Sequence, residues 1–433
     1  MLIICKKDKK VKLILIVIEI VFVIVGLISI FKHGNSTLLG SLEKFDNDDV
    51  KYIRSAWNLV ENGMLSYENI NEPTVYIMPG LTLILSFFVI VFGKFKAIIA
   101  FRIFQVILQV FSLNLLFLIG RKVFNKKVAL IACIIDSIYI VEIYVANLIL
   151  MEVIFKFLLL ILIYLSICAL ENKRIKYYVL AGMVWSLTCL FKPTIAVYPL
   201  VILIVWINNK YKLKEMVKYG SIVIGIFCIV MSPWWMRNYN DFNRFIPFTK
   251  SSGNPFLQGT FINYDQSEGW GVSYKISENA IQSDEYELAV GIERLKIYGT
   301  KEPLKFIYWY TLGKTFYFWY KPFYWDKILG LNYAWAFIEH YFILITSVIS
   351  IVNITKAKKW TLGKQTIILS IIVMNIVYLP YYTFCRYSYP LMPLMSIFSG
   401  DLIYHKICKY KLLKGRKRWG FINGKETINT SGR

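Results

Sequence analysis

Seven ionisable side chains stand beside the ends of long apolar runs in this sequence: Asp46, Asp48, Asp49, Glu152, Lys192, Arg237 and Arg386. Charged groups at membrane depth are costly, so they pair with one another or serve a function. The residue types divide into two sets. A carboxylate can take a proton from an attacking hydroxyl or amine, whereas Lys and Arg can hold a phosphate as it departs. Gathered at one water–lipid boundary, such groups suit an enzyme acting on a lipid-borne phosphate.

The acids at 46, 48 and 49 lie in the polar stretch FDNDDVKYIRSAWNLVENG (45–63), directly after the first apolar run. Val50, Ile53, Trp57 and Val60 recur at helical spacing, which predicts a short helix starting near Asp48 with one apolar stripe. Asn62-Gly63 supplies its stop. Acids at its start and a Trp on its apolar face suit a helix lying in the membrane interface. Asp48 has two readings here, helix cap or catalyst, and Asp46 reads as a cap.

The composition fixes the class. Of 433 residues, 57% are hydrophobic and 17% aromatic, with a mean hydropathy of +0.52, whereas soluble domains average about 45–50% apolar. The net charge of +23 does not point to nucleic acid, because the Lys and Arg fall in short clusters between apolar runs. That is the positive-inside pattern of a multi-pass membrane protein. Seven scattered cysteines and three separated histidines signal neither a disulfide framework nor a metal site.

Ten spans are predicted: 13–31, 97–120, 128–146, 153–170, 177–191, 194–207, 218–235, 333–352, 365–382 and 388–404. The run at 79–93 is too short to cross and is read as a second interfacial or half-inserted helix. With that parity both termini are cytoplasmic and the main basic clusters share the cytoplasmic side, with Lys94, Lys96 and Arg102 as exceptions. Residues 1–235 form the main transmembrane module with a first external loop at 32–96. Residues 236–330 are a second large external loop ending in an aromatic-rich interfacial helix at 304–324. Residues 331–405 are C-terminal helices, and 406–433 form a basic cytoplasmic tail whose last dozen residues read as disordered.

Several segments carry a family resemblance. DDVKYIRSA (48–56) resembles the D-E-x-x-Y-x-x-x-A motif in the first external loop of GT-C glycosyltransferases, the protein O-mannosyltransferase and aminoarabinose-transferase relatives. EPTVYIMPG (72–80), LILMEV (148–153), LFKPT (190–194), the SPWWMRN segment from 232, continuing to 260, and RYSYPLMP (386–393) are similar to further motifs of that group, in the same order. Two departures stand out: Ile77-Met78 replaces the Glu-Lys pair of aminoarabinose transferases, and Asp49 replaces Glu. The resemblance implies an all-α polytopic GT-C fold and an inverting transfer of sugar from a polyprenyl-phosphate donor at the external face of the cell membrane. It implies Asp48 as catalytic carboxylate, with Asp49 and Glu152 as further active-site acids. Tyr52, Lys192, Arg237, Asn238, Arg386 and Tyr387 would contact substrate or phosphate. No cofactor is required by this chemistry, although a divalent metal is compatible with it. The partners implied are the lipid-linked donor, a lipid, glycan or protein acceptor, and membrane lipids.

Structural readings stand beside these. Glu152 could cap a span, Lys192 and Arg237 could be snorkelling anchors, Trp234 and Trp235 could be belt residues, and the acids at 265–287 could be a solvated face. The competing function is a transporter or flippase of a lipid-linked glycan, for which paired repeats and helices broken at the bilayer midplane are expected. A glycan polymerase is a third alternative.

Overall fold

The computed structural model describes residues 9–267 and 279–426, with side chains as far as residue 410. Its described residues fold into helices joined by loops, and the isolated bridge between Ile328 and Leu331 is the only β pairing among them. In chain order the helices are α1 (Lys9–His33), α2 (Asp48–Asn62), α3 (Gly80–Phe92), α4 (Lys94–Val123), α5 (Lys126–Ile138), α6 (Ile140–Asn147), α7 (Glu152–Asn172), α8 (Ile175–Cys189), α9 (Pro199–Asn208) and α10 (Leu213–Phe242). After them come α11 (Gly253–Gly259), α12 (Ala280–Lys301), α13 (Pro303–Tyr308), α14 (Lys314–Trp319), α15 (Tyr333–Lys356), α16 (Leu362–Ile376) and α17 (Met392–Glu426).

Five helices, α1, α4, α7, α10 and α15, are long and apolar enough to cross a membrane. Helices α5 and α6 are long and apolar enough for a crossing only when taken together, and they are bent by 55° at Tyr139. The continuous span predicted at 128–146 is therefore broken. The freed backbone is satisfied locally, since Ile140 N donates to Glu339 Oε2 at 2.9 Å, as a polar group in an apolar medium requires. The apolar helices α3, 193–208 and α16 are shorter than a full crossing. At 13 residues, α3 fits the interfacial reading.

Helix α4 is the hub, packed against α1, α3, α5 and α7, while α17 closes the bundle against α5 and α15. One end of the bundle collects the basic loops: Lys122 pairs with Glu171, Lys173 with Glu215 at 3.0 Å, and Asn209 donates to Gln365. Two of the basic exceptions, Lys94 and Arg102, are tied down at the opposite end. Lys94 pairs with Glu61 over the Trp57 ring, and fully buried Arg102 donates to Asn147 O at 2.7 Å and Asn35 Oδ1 at 3.1 Å.

The second long loop folds onto the bundle instead of standing off it. Trp234 and Trp235 donate their indole N–H groups to Phe248 O and Pro247 O, so they anchor this loop rather than only marking a belt. Asp284 and Glu287 are buried, accepting from Gly253 N at 2.6 Å and Asn254 Nδ2 at 2.8 Å, which corrects the solvated-face expectation for these two acids. Glu268 and Glu278 lie outside the described residues. So do residues 427–433 of the tail expected to be disordered, while 422–426 continue α17.

Candidate active site

Helix α2 begins where its sequence sets it. Asn47 in extended conformation accepts from Asp48 N, and Gly63 at φ 68° ends the helix, a left-handed position that favours glycine. Val50, Ile53 and Ala56 face the bundle, with Trp57 half-buried between Phe45 and Phe95 and Val60 at the margin. The cap is thus Asn47. Asp46 instead accepts from Ser41 N at 2.9 Å and stitches the preceding turn, which corrects its reading as a cap.

That geometry leaves the Asp48 carboxylate at the helix start, where one group from just beyond α2 and one from far along the chain reach it. Arg386 Nη1 donates to Asp48 Oδ2 at 3.1 Å, and the Tyr67 hydroxyl donates to Oδ1 at 2.8 Å. Burial opposes ionisation of Asp48, but the Arg386 guanidinium and the Tyr67 bond outweigh it and hold the carboxyl below its ordinary value. Arg386 also lies 3.9 Å, through Nε, from Glu152 Oε1, at the first residue of α7. Glu152 in turn lies 3.6 Å from Lys192 Nζ.

The cluster is therefore a chain of alternating charge, Asp48, Arg386, Glu152, Lys192, more exposed at its Asp48 end than at its Glu152–Lys192 end. Side-chain exposure falls from 41% at Asp48 and 23% at Arg386 to 11% at Lys192 and 3% at Glu152. The buried Oε2 of Glu152 has no hydrogen-bond partner among the described residues.

Lys192 sits in an aromatic cage, 4.4 Å from the Tyr387 ring, 5.6 Å from Phe155 and 5.8 Å from Tyr378. Tyr378 and Tyr387 stack at 4.5 Å. Burial pulls the Lys192 ammonium down to about 8, with Glu152 acting against it. Its turn is fixed by a close backbone approach: Gly80 N donates to Leu190 O at 2.8 Å, and a Cβ on Gly80 would lie 2.6 Å from that oxygen.

The other expected residues fall elsewhere. Asp49 turns away, wholly buried, accepting from Leu39 N at 2.7 Å and Val50 N at 2.8 Å; its bonds stabilise the start of α2, and it does not join the cluster. Tyr52 makes no polar contact with Asp48 but packs its ring 5.2 Å from that of Tyr67. Arg237 donates to Thr74 O at 2.7 Å and to Leu65 O and pairs with Asp241 at 2.8 Å. Asn238 donates to Ile246 O at 2.9 Å. These two residues clamp the loops that carry Tyr67, and neither touches the acid–base chain. Tyr387 contributes its ring face to Lys192 and Arg386. Tyr67 carried no signal in the sequence, since it sits in an irregular segment with no motif around it.

No third His, Cys, Asp or Glu joins Asp48 and Glu152 in a metal-binding group among the described residues, and Arg386 lies between the two carboxylates. The donor set fits an internally balanced ion-pair chain better than a cation site.

The family described as dolichyl-phosphate-mannose-protein mannosyltransferase matches residues 72–236. This stretch holds Glu152 and Lys192 and stops one residue before Arg237. Among solved structures, the Archaeoglobus fulgidus oligosaccharyltransferase in its apo form superposes with a TM-score of 0.56 at 14% identity, over 95% of this chain and 52% of that one. A second structure of that oligosaccharyltransferase, with an inhibitory peptide and a dolichol-phosphate, gives 0.53 at 15% identity, over 95% and 52%. ArnT from Cupriavidus metallidurans bound to undecaprenyl phosphate gives 0.51 at 10% identity, over 88% and 59%. The chain has the GT-C fold. It spans about half the length of the oligosaccharyltransferase and somewhat more of ArnT. Comparison with curated proteins found no match. Within the GT-C fold, Asp48 and Arg386 both lie outside the family-matched stretch, so their meeting is a property of the whole chain.

Proposed function

We propose that this membrane protein is an inverting GT-C glycosyltransferase that moves a sugar from a polyprenyl-phosphate donor to an acceptor hydroxyl or amine at the external face of the cell membrane. The observation that carries the reading is the Asp48–Arg386 pair backed by Glu152 and Lys192: a carboxylate base facing cations suited to a leaving phosphate. The family match over 72–236 supports a lipid-phosphate sugar, and the oligosaccharyltransferase and ArnT structures contain dolichol-phosphate and undecaprenyl phosphate respectively. The basic loops gathered at the opposite end of the bundle support an external site.

In the step itself, the acceptor oxygen or nitrogen bonds to the anomeric carbon while the bond from that carbon to the phosphate oxygen breaks. The acceptor proton passes to Asp48, and the electron pair leaves on the phosphate, held by Arg386 and Lys192. The pairing gives this step an order. With the donor absent, Arg386 keeps Asp48 a weak base. A seated phosphate competes for Arg386 and adds negative charge beside Asp48, so the carboxyl becomes more basic as the donor binds. Arg386 and Lys192 already supply positive charge, so we propose that no metal is needed and that transfer persists in excess EDTA.

The test is Asp48→Asn in membranes supplied with a labelled lipid-phosphate sugar. Transfer is expected to fall roughly 10²–10⁴-fold at normal protein levels, and undiminished transfer would remove the mechanism. The same preparation in liposomes separates enzyme from flippase, since movement of the lipid-linked sugar without transfer to any acceptor supports the flippase.

A further inference from the structure

Directly before Arg386, the segment from Tyr382 to Cys385 forms one wall of a cleft of about 160 Å³. The rest of its lining comes from the second long loop, through Tyr264, Tyr317, Tyr320, Lys321 and Trp325. The rings support one another: Tyr264 lies 4.1 Å from Tyr382, Tyr382 lies 5.1 Å from Phe384, and Trp325 meets Phe384 edge-on at 6.1 Å. The cleft adjoins the acid–base chain, because the Phe384 ring that lines it lies 5.8 Å from the Arg386 guanidinium carbon.

Resting on the transferase reading above, we propose that this cleft holds the sugar ring of the donor. A pyranose offers a face of weakly positive C–H bonds, which suits the negative faces of aromatic rings, and a rim of hydroxyls, which suits the Lys321 ammonium and the tyrosine hydroxyls. Pockets for larger ligands run to about 300–1,000 Å³, and this smaller space is of a size to hold one ring. Distance argues for the donor. A sugar joined to a phosphate at Arg386 by a single linkage must lie within about one ring's breadth of that guanidinium, and the cleft is the neighbouring space on that side. Trp325, 43% exposed, is the lining ring with the most open face, on which a sugar ring would stack.

The experiment is equilibrium binding to the full chain in lipid nanodiscs, without acceptor and without turnover. The probes are undecaprenyl phosphate and the same lipid phosphate carrying mannose, glucose or N-acetylglucosamine. At least one sugar-bearing probe is expected to bind about tenfold more tightly than the bare lipid phosphate. Trp325→Ala should erase that gain while leaving affinity for the bare lipid phosphate unchanged, and Trp325→Phe should keep it. Equal affinity for all four probes overturns the proposal, as does a Trp325→Ala chain that loses affinity for bare and sugar-bearing lipids alike, which would make the cleft a lipid site. Because binding is read without transfer, this result stands or falls separately from the Asp48→Asn assay.

Discussion

At the scale of single residues, the site works by mutual control of charge. The Lys192 ammonium, lowered to about 8 by burial, is protonated below that pH and neutral above it, and in the proposed mechanism only the protonated form holds the phosphate. We expect kcat/KM for the donor, which reports the free enzyme, to fall as the pH rises through about 8, and Lys192→Arg, whose guanidinium keeps its charge, to remove that fall. Tyr67 supplies the second bond to Asp48. Tyr67→Phe is expected to move the acid limb of the same profile to higher pH, because the carboxylate loses a donor that favours its charged form, and to cost about 1 kcal/mol of stability in thermal unfolding. Sequence motifs pointed to Asp48, Glu152, Lys192 and Arg386 and were silent about Tyr67. A motif marks residue type and register, whereas Asp49, Arg237 and Asn238 share both with their neighbours and are distinguished only by which way the backbone aims them.

Elements decide that aim. Helix α2 was legible to the residue, since Asn62-Gly63 and the Val50, Ile53 register are local signals that α3 reinforces by packing. The break at Tyr139 was not legible: residues 128–146 are uniformly apolar, with Asp136 and Glu142 as the only charges, and the bend is held by Glu339 from a helix almost two hundred residues later. The turn bearing Lys192 is set by its contact with the start of α3. Gly80→Ala would place a methyl group 2.6 Å from Leu190 O, forcing the two segments apart. The expected outcome is a loss of thermal stability of about 1–3 kcal/mol together with weakened donor binding, measured side by side on purified protein.

Across the molecule, a second polar network lies beneath the first. Lys156, one helical turn after Glu152 on α7, pairs with Glu142 and Gln109 in the protein interior, and Tyr389, three residues after Arg386, donates to Glu142 Oε2 at 2.8 Å. The two segments that deliver Glu152 and Arg386 are thus rooted in one buried ion pair. Removing one partner by Lys156→Met leaves Glu142 unpaired and should cost about 3–5 kcal/mol, whereas Lys156→Met with Glu142→Leu should recover most of it, as read by thermal unfolding in detergent. The overall architecture was readable because composition and basic clusters act over the whole length of the chain. The second loop's docking was not, because its buried acids look like surface acids until Gly253 and Asn254 are seen against them. The span between Asp48 and Arg386 is 338 residues, and it bears on synthesis. In the proposed reaction, a nascent or truncated chain carries the carboxylate at Asp48 long before the guanidinium that pairs with it has been made, so we expect an unfinished product to form no charge-paired site and to show no turnover of a lipid-linked sugar.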